Sequence, residues 1–230
     1  MTDAVATDDQ RPVRVLPPWW AVLLVALGIA GVAFAIGRFS TFDAAPVTPG
    51  TDSAEAGFAR DMQVHHAQAI DMAMTIYRKT ADEDIRALSY DIATGQSAQR
   101  GEMFDWLVQW GLPQAGGPTM AWMSASDGGH GHGAGADAGD ELDEDGAREA
   151  MGMATEAELT ELAQAGGTEA DCLFLGLMIR HHEGAIPMAD AVLELGSEPR
   201  TLAVAEAMKN AQQFEIDAMT SMQQRLSCSA

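Results

Sequence analysis

Apolar positions recur at helical spacing in four long segments of this chain, and no segment shows the alternation typical of a β-strand. Three helix starts, near residues 52, 80 and 155, carry a capping pattern in which a polar cap is followed three residues later by an acid. The pattern predicts long helices over about 52–77, 80–110, 169–195 and 197–226, with a short helix over 155–166.

The connections between these helices differ in composition from the helices themselves. Residues 112–154 are rich in Gly, Ala and acids and also contain His and Met. A segment of this kind cannot bury a core, so we expect a flexible acidic crossover there. Two prolines in residues 41–51 indicate a linker, and the polar residues 1–16 indicate a disordered cytoplasmic stub.

One uncharged apolar run extends from Trp19 to Gly37, which is about the length needed to cross a bilayer core. A Trp pair suits one membrane interface and Arg38 follows the other end. We therefore predict one transmembrane helix over 17–40, with the C-terminal domain outside the cytoplasm. The alternative is a cleaved signal peptide, because Ala-rich sequence follows at 43–45; cleavage would give a secreted or periplasmic protein.

One phrase occurs twice in the chain. Residues 62–73 read MQVHHAQAIDMA and residues 178–189 read MIRHHEGAIPMA, so that Met, the His pair, Ala, Ile, Met and Ala recur at identical spacing. Each copy lies in the first helix of a predicted hairpin. The halves 52–111 and 155–226 therefore predict an antiparallel four-helix bundle built from a duplicated hairpin over 52–226.

The two halves are expected to differ in detail. Gln99 in the second helix aligns with Gln212, an offset of 113 residues, whereas the His phrases are offset by 116. The two hairpin turns are therefore expected to differ by three residues. Pro187 interrupts the backbone hydrogen bonding of the second phrase, and a kink there would move Met188 relative to His181.

Each copy of the phrase carries metal ligands on one helical face. Because successive helical residues turn by about 100°, Met62, His65 and Met72 form a stripe, and the second half repeats it. Thioethers favour Cu(I) and imidazoles favour Cu(II), so the set suits a copper ion. The predicted metal ligands are His65, His66, His181, His182, Met62, Met72, Met178 and Met188.

Other interpretations of these residues stay open. The same stripe fits core packing in which every His is hydrogen-bonded and no metal binds. A di-iron bundle needs Glu-x-x-His motifs, and structural zinc more often uses thiolates; the phrases contain neither. A weaker accessory metal site is expected in the crossover, although a polar linker with incidental His explains the same residues, namely Met120, Met123, His130 and His132.

Charge and cysteine content limit the partners and the compartment. The formal net charge of −21 argues against a nucleic-acid partner. Two cysteines, Cys172 and Cys228, fit an oxidising compartment as a disulfide or as thiolate ligands. The last two helices form a hairpin that turns near Gly196, so its open end can bring the two cysteines together, and we predict the disulfide.

The chain resembles domain-of-unknown-function family 305, which includes copper-binding CopM-like periplasmic proteins. The resemblance covers residues 52–226 and rests on the paired His phrases, on Gly152-Met153 before a capped helix, and on Phe174-Leu-x-x-Met178 before the second His pair. It implies a ferritin-like helical bundle and, for some members, periplasmic copper binding through Met and His.

The sequence thus predicts an extracytoplasmic, membrane-anchored copper-binding protein that sequesters or transfers copper. Its expected partners are the metal ion and, through the N-terminal helix, the membrane; no protein partner is indicated. A metal-dependent oxidoreductase of ferritin-like type and a metal-free interaction module are the alternatives. No acid–base pair or activated nucleophile in the sequence favours an enzyme.

Overall fold

The computed structural model describes residues 19–40, 48–125 and 144–228. These ranges contain helices and no β-strand, so the predicted all-α class is confirmed. The chain divides into an N-terminal unit that ends at residue 47 and a second unit that starts at residue 48. In chain order the elements are α1 (Trp19–Ser40), α2 (Ala54–Tyr77), α3 (Glu83–Gln109), a 3₁₀ turn (Ala121–Ala125), α4 (Glu144–Ala150), α5 (Glu156–Gln164), α6 (Gly167–Leu195) and α7 (Pro199–Leu226).

The helix α1 covers the apolar run of the N-terminal unit with 22 residues. Across the described ranges, however, no helix combines the length and the apolar character that crossing a membrane requires. A helix is therefore present where one was predicted, but the transmembrane anchor predicted over 17–40 is not supported.

Side-chain caps fix the helix starts of the second unit. Ser53 caps α2, Asp82 caps α3 and Glu198 caps α7, in each case by accepting hydrogen bonds from backbone amides of the first turn. Thr155 starts α5 with a complete capping box. The predicted helix starts lie within two residues of these caps, because each capping side chain reaches amides two or three positions further along.

The two hairpins, α2–α3 and α6–α7, repeat at a constant offset of 116 residues. The caps Asp82 and Glu198 correspond at this offset, and so do the fully buried Met103 and Met219. The predicted three-residue difference between the hairpin turns is therefore wrong. The prediction aligned Gln99 with Gln212, whereas the residue that corresponds to Gln212 at an offset of 116 is Gln96. Gln96 and Gln212 are both buried.

The helices α2 and α6 pack against each other and run antiparallel. Met62 of α2 shares one apolar cluster with Met188 of α6, and Met72 shares a second cluster with Met178. The helix α6 continues through Pro187, and Met188 stays fully buried. The two clusters thus fill opposite ends of the α2–α6 interface, with the His pairs between them in sequence.

Methionine dominates one of these clusters. We call it the methionine-rich core, and the other the opposite core. The methionine-rich core includes eight methionines, two of them only partly buried: Met62, Met103, Met120, Met123, Met151, Met153, Met188 and Met208. The opposite core includes five methionines, again with two partly buried: Met72, Met74, Met178, Met219 and Met222.

The described parts of the crossover pack against the helices. Asp61 of α2 accepts hydrogen bonds from the Met120 amide and from the Trp122 indole, both at 2.8 Å. The Trp122 ring covers Gly57, where a Cβ atom would lie 2.3 Å from the ring. The expected flexible crossover over 112–154 is therefore wrong for residues 112–125 and 144–154, because apolar side chains there are anchored by specific polar contacts. Residues 126–143 lie outside the described residues.

A tight turn over residues 151–154, here called the Met151 turn, enters between α2 and α6. Gly152 adopts a φ of 68°, and a Cβ atom on it would lie 2.2 Å from the Arg180 carbonyl oxygen. A Cβ atom on Gly184 would lie 2.0 Å from the Met151 carbonyl oxygen. Gln68 holds the turn from α2, exchanging hydrogen bonds of 2.8 and 2.7 Å with the Ala154 backbone.

The open end of the α6–α7 hairpin contains the disulfide Cys172–Cys228, with a Cα–Cα distance of 5.5 Å. Arg225 of α7 pairs with Asp82 at the start of α3, at 2.7 Å. Both contacts join chain segments that are distant in sequence at the same end of the helical unit.

Candidate metal centre

His65 and His181 meet where α2 and α6 cross. Their ring centroids are 3.6 Å apart, and both side chains are fully buried. His66 and His182 flank this pair, with ring centroids 6.2 Å from His65 and 6.3 Å from His181, respectively. The structure therefore brings all four predicted histidines into one buried layer, which we call the His layer.

The outer histidines are held by the second helix of their own hairpin. His66 Nε2 lies 2.8 Å from Gln99 Oε1 on α3, and His182 Nε2 lies 2.6 Å from Glu215 Oε2 on α7. Because neighbouring helical residues point about 100° apart, one His of each pair faces the other hairpin and the other faces its own. Gln99 and Glu215 correspond at the offset of 116, which the predicted alignment of 113 obscured.

The hydrogen bonds fix the tautomers of three rings. His65 Nε2 lies 3.0 Å from the Met151 carbonyl oxygen, which can only accept, so Nε2 carries the hydrogen. The acceptor oxygens of Gln99 and Glu215 require the same tautomer of His66 and His182. In its neutral form, each of these rings presents an unprotonated Nδ1 atom.

These Nδ1 atoms are buried without a hydrogen-bond partner among the described residues. For His181, neither ring nitrogen has a hydrogen-bond partner among the described residues. The buried layer thus contains five unpartnered imidazole nitrogens, whereas buried polar atoms in proteins are almost always paired. A lone pair on Nδ1 with the hydrogen held on Nε2 is the arrangement in which His binds a metal.

Burial keeps three of the imidazoles, those of His65, His66 and His181, neutral. Desolvation lowers the pKa of His65 to about 4 and that of His66 to about 3, and it lowers the pKa of His181 well below its usual value. Mutual repulsion within the layer adds to the shift, for example the effect of His65 on His66 and on His181. Neutral imidazole is the form that binds metals, so no proton has to leave these rings before an ion binds.

The four methionines of the phrases are buried on both sides of the His layer. Met62 and Met188 lie in the methionine-rich core, and Met72 and Met178 lie in the opposite core. Met62 and Met72 are ten residues apart on α2, a rise of about 15 Å. The two thioethers of each half therefore lie in different apolar clusters, and each cluster combines one Met from each copy of the phrase.

The accessory residues divide between described and undescribed parts of the chain. Met120 and Met123 pack on the methionine-rich core, partly exposed. His130 and His132 lie outside the described residues, so the accessory site stays a prediction. Within the described ranges, no three His, Cys, Asp or Glu side chains are grouped as a metal site would require. Any ion in the layer would thus need thioether ligands beside the imidazoles.

Sequence reasoning missed the groups that orient the rings. The Met151 carbonyl comes from a non-repeated segment, and its approach depends on Gly152 and Gly184. The available signal was the difference between the two phrases at equivalent positions, where Gln68 stands in the first and Gly184 in the second. One clamps the Met151 turn and the other leaves room for it.

The fold and the buried His layer define an all-α protein with a duplicated His–Met helix pair. The family described as "Domain of unknown function (DUF305)" matches residues 55–223, and the chain belongs to this family. Among curated proteins, none matches the chain.

Three solved structures show the relationship at different distances. A DUF305 protein of Streptomyces coelicolor, described as a candidate secreted protein, is 35% identical with a TM-score of 0.66, covering 78% of this chain and 98% of its own. A DUF305 fragment from Deinococcus radiodurans is 28% identical with a TM-score of 0.59, covering 75% and 96%. CopM in its Cu(II)-bound form is 25% identical with a TM-score of 0.54, covering 75% and 97%.

Proposed function

We propose that this protein binds copper ions in the His layer and serves to sequester or hand on copper outside the cytoplasm. The observation that carries the proposal is the set of five buried imidazole nitrogens without partners among the described residues. Leaving one buried polar atom unpaired costs about 1–3 kcal/mol. Apolar side chains of similar size would avoid that cost, whereas a bound ion would use the lone pairs, of which neutral His181 supplies one from its two nitrogens.

The donor chemistry favours copper over other metals. Neutral imidazole and thioether together form a borderline-to-soft set, which suits Cu(I) and accepts Cu(II) through nitrogen. Both cysteines are consumed in the disulfide, so thiolate zinc binding has no ligands in this chain. The likeness to CopM, whose structures contain Cu(I) or Cu(II), supports the same choice.

In this proposal the ligands of the copper ion come from both halves of the duplicated structure. His65 and His181 are the first ligands in this proposal, because their rings adjoin at the helix crossing. His66 and His182 would join from the edge through Nδ1. The thioethers would come from one of two cross-half pairs, Met62 with Met188 on one side of the layer or Met72 with Met178 on the other. The scaffold would be the ferritin-like four-helix bundle formed by α2, α3, α6 and α7.

Export from the cytoplasm is part of the proposal. The disulfide Cys172–Cys228 is typical of oxidising compartments. The Streptomyces relative described as a candidate secreted protein supports the same location. Export alone suffices for the proposed role, whether or not the protein remains attached to a membrane.

A competition titration tests the proposal. The full chain, purified with its disulfide intact, is titrated with Cu(I) against a chromophoric chelator. We expect the double variant H65L/H181L to lose at least about tenfold in Cu(I) affinity, equivalent to one ligand or more. The control is S97A, whose hydroxyl donates a hydrogen bond to the Ala93 carbonyl on the same helix, α3. Equal Cu(I) affinity of H65L/H181L and wild type would contradict the site, and no Cu(I) binding by wild type would contradict the function.

A further inference from the structure

Among the described residues, the methionines outside the duplicated hairpins all lie in the methionine-rich core, at one end of the helical unit. The hairpins themselves contribute four methionines to the methionine-rich core and five to the opposite core. The connecting segment then adds four more, all to the methionine-rich core: Met120, Met123, Met151 and Met153. Core filling alone gives no reason for this one-sided addition, since Met is a general gap-filler.

The added methionines form a gradient of exposure that leads inward. Met120 and Met123 are partly exposed at the surface of the core, Met153 is 6% exposed, and Met151 is 1% exposed. Met62 follows at 0% on α2, one helical turn before His65. Thioether side chains therefore extend within one packed cluster from solvent to the edge of the His layer.

The backbone of Met151, at the inner end of this series, contacts the His layer directly. The Met151 carbonyl oxygen accepts the hydrogen bond from His65 Nε2, which leaves His65 Nδ1 buried and without a partner among the described residues. Gly152 and Gly184 permit the approach, because a Cβ atom on either would collide with backbone oxygen. The position of the Met151 backbone against this ring therefore depends on glycine at both positions.

The outer end of this series, at Met120, is also held by specific hydrogen bonds. Met120 has a φ of 63°, a left-handed conformation that Gly or Asn adopts more easily than Met. Asp61 accepts hydrogen bonds from the Met120 amide and from the Trp122 indole, and so fixes this turn on α2. The chain therefore keeps a thioether at a position where local backbone preference favours another residue.

We propose that the methionine-rich core is the loading path through which Cu(I), or another soft monovalent cation, reaches the His layer, with Met120 and Met123 as its outer ligands. This inference rests on the proposed copper binding. Thioethers bind Cu(I) without a charge and without deprotonation, so an ion can pass between successive sulfurs by ligand exchange. No change of copper oxidation state is involved. The opposite core, to which the connecting segment adds apolar residues but no methionine, does not load.

Stopped-flow loading tests the path. The full chain is mixed with Cu(I) supplied as its bicinchoninate complex, and the loss of chelator colour gives the loading rate. For M120L/M123L we expect loading to slow by about tenfold, a barrier increase of about 1.4 kcal/mol. Copper release should slow equally, because a path residue lowers the barrier in both directions. The matched control is M74L/M222L, which replaces the two partly buried methionines of the opposite core and should load at the wild-type rate.

The outcomes separate the path from the site. Wild-type loading rates in M120L/M123L, or equal slowing in both double variants, would overturn the path while leaving copper binding intact. Absence of Cu(I) binding by wild type would overturn both. Leu is close to Met in volume, so circular dichroism should show unchanged helix content in both variants. If M120L/M123L instead loses helix content, M153L, which changes one nearly buried side chain on the same path, must slow loading for the proposal to stand.

Discussion

His65 and His181 occupy equivalent positions and stack 3.6 Å apart, yet only His65 has a hydrogen-bond partner among the described residues. The difference arises because one non-repeated turn enters on one side of a duplicated structure. His65 donates a hydrogen bond to the Met151 carbonyl, whereas neither ring nitrogen of His181 has a hydrogen-bond partner among the described residues. Equivalent substitutions at these two positions should therefore have opposite effects on the metal-free protein.

We expect H181L to stabilise the metal-free protein by roughly 1 kcal/mol or more, because it removes two unpaired buried nitrogens. H65L should instead be neutral or destabilising, because it leaves the buried Met151 carbonyl without its donor. Urea unfolding of both variants in the presence of a copper chelator measures the difference. Destabilisation by H181L equal to that by H65L would show that His181 is an ordinary core residue.

The metal-free protein should lose stability in mild acid. An unfolded His takes up a proton near pH 6.5, whereas burial lowers the pKa of folded His65 to about 4. Between these values the unfolded state binds more protons, so the free energy of unfolding falls as pH decreases. For His65 alone the loss between pH 6.5 and 4 is about 3 kcal/mol. Urea midpoints measured from pH 7 to pH 4.5 test this, and a flat profile would contradict the buried neutral layer.

The Met151 turn depends on the absence of a side chain at Gly184. We expect G184A to destabilise the protein by about 1–3 kcal/mol, because its Cβ atom would lie 2.0 Å from the Met151 carbonyl oxygen. Gly176 on the same helix is the control, since a Cβ atom there meets nothing closer than 3.7 Å. G176A should therefore stabilise by about 0.5–1 kcal/mol. Thermal unfolding that ranks the two variants in the opposite order would show that the turn does not pack as described.

Glu215 and Gln99 make the two outer histidines chemically different. A carboxylate that accepts from His182 Nε2 raises the basicity of Nδ1 more than an amide does. We expect E215Q to lower copper affinity by about tenfold, within the range found for groups that orient metal ligands. The control is E102Q on α3, whose carboxylate pairs with Arg200. Chelator competition measures the copper affinity of both variants. An equal loss of copper affinity in E215Q and E102Q would exclude a role for Glu215.

Much of this architecture was accessible from sequence because it depends on local signals. Caps and helical periodicity located the helices, and the repeated phrase located all four histidines of the buried layer. The two cysteines were placed by the hairpin geometry. These features need only residues on one helix, or on two helices joined by a short turn.

The missed features depend on contacts between distant segments. The Met151 carbonyl reaches His65 across 86 residues, and Gln68 holds Ala154 across the same separation. Composition predicted a flexible crossover because its Gly content is high, yet Gly152 serves a close backbone approach. The predicted Met–His–Met stripe did not indicate that helical rise along α2 places Met62 and Met72 about 15 Å apart, in different apolar clusters.

X-ray absorption at the copper edge tests the central claim most directly. The full chain is loaded with one equivalent of Cu(I) under reducing conditions that leave the disulfide intact, and the same measurement is made on H65L/H181L. We expect wild-type copper to show mixed imidazole-nitrogen and thioether-sulfur ligation, and the double variant to lose the imidazole contribution. Copper bound to oxygen ligands alone, or an identical spectrum in the two proteins, would contradict a copper site in the His layer.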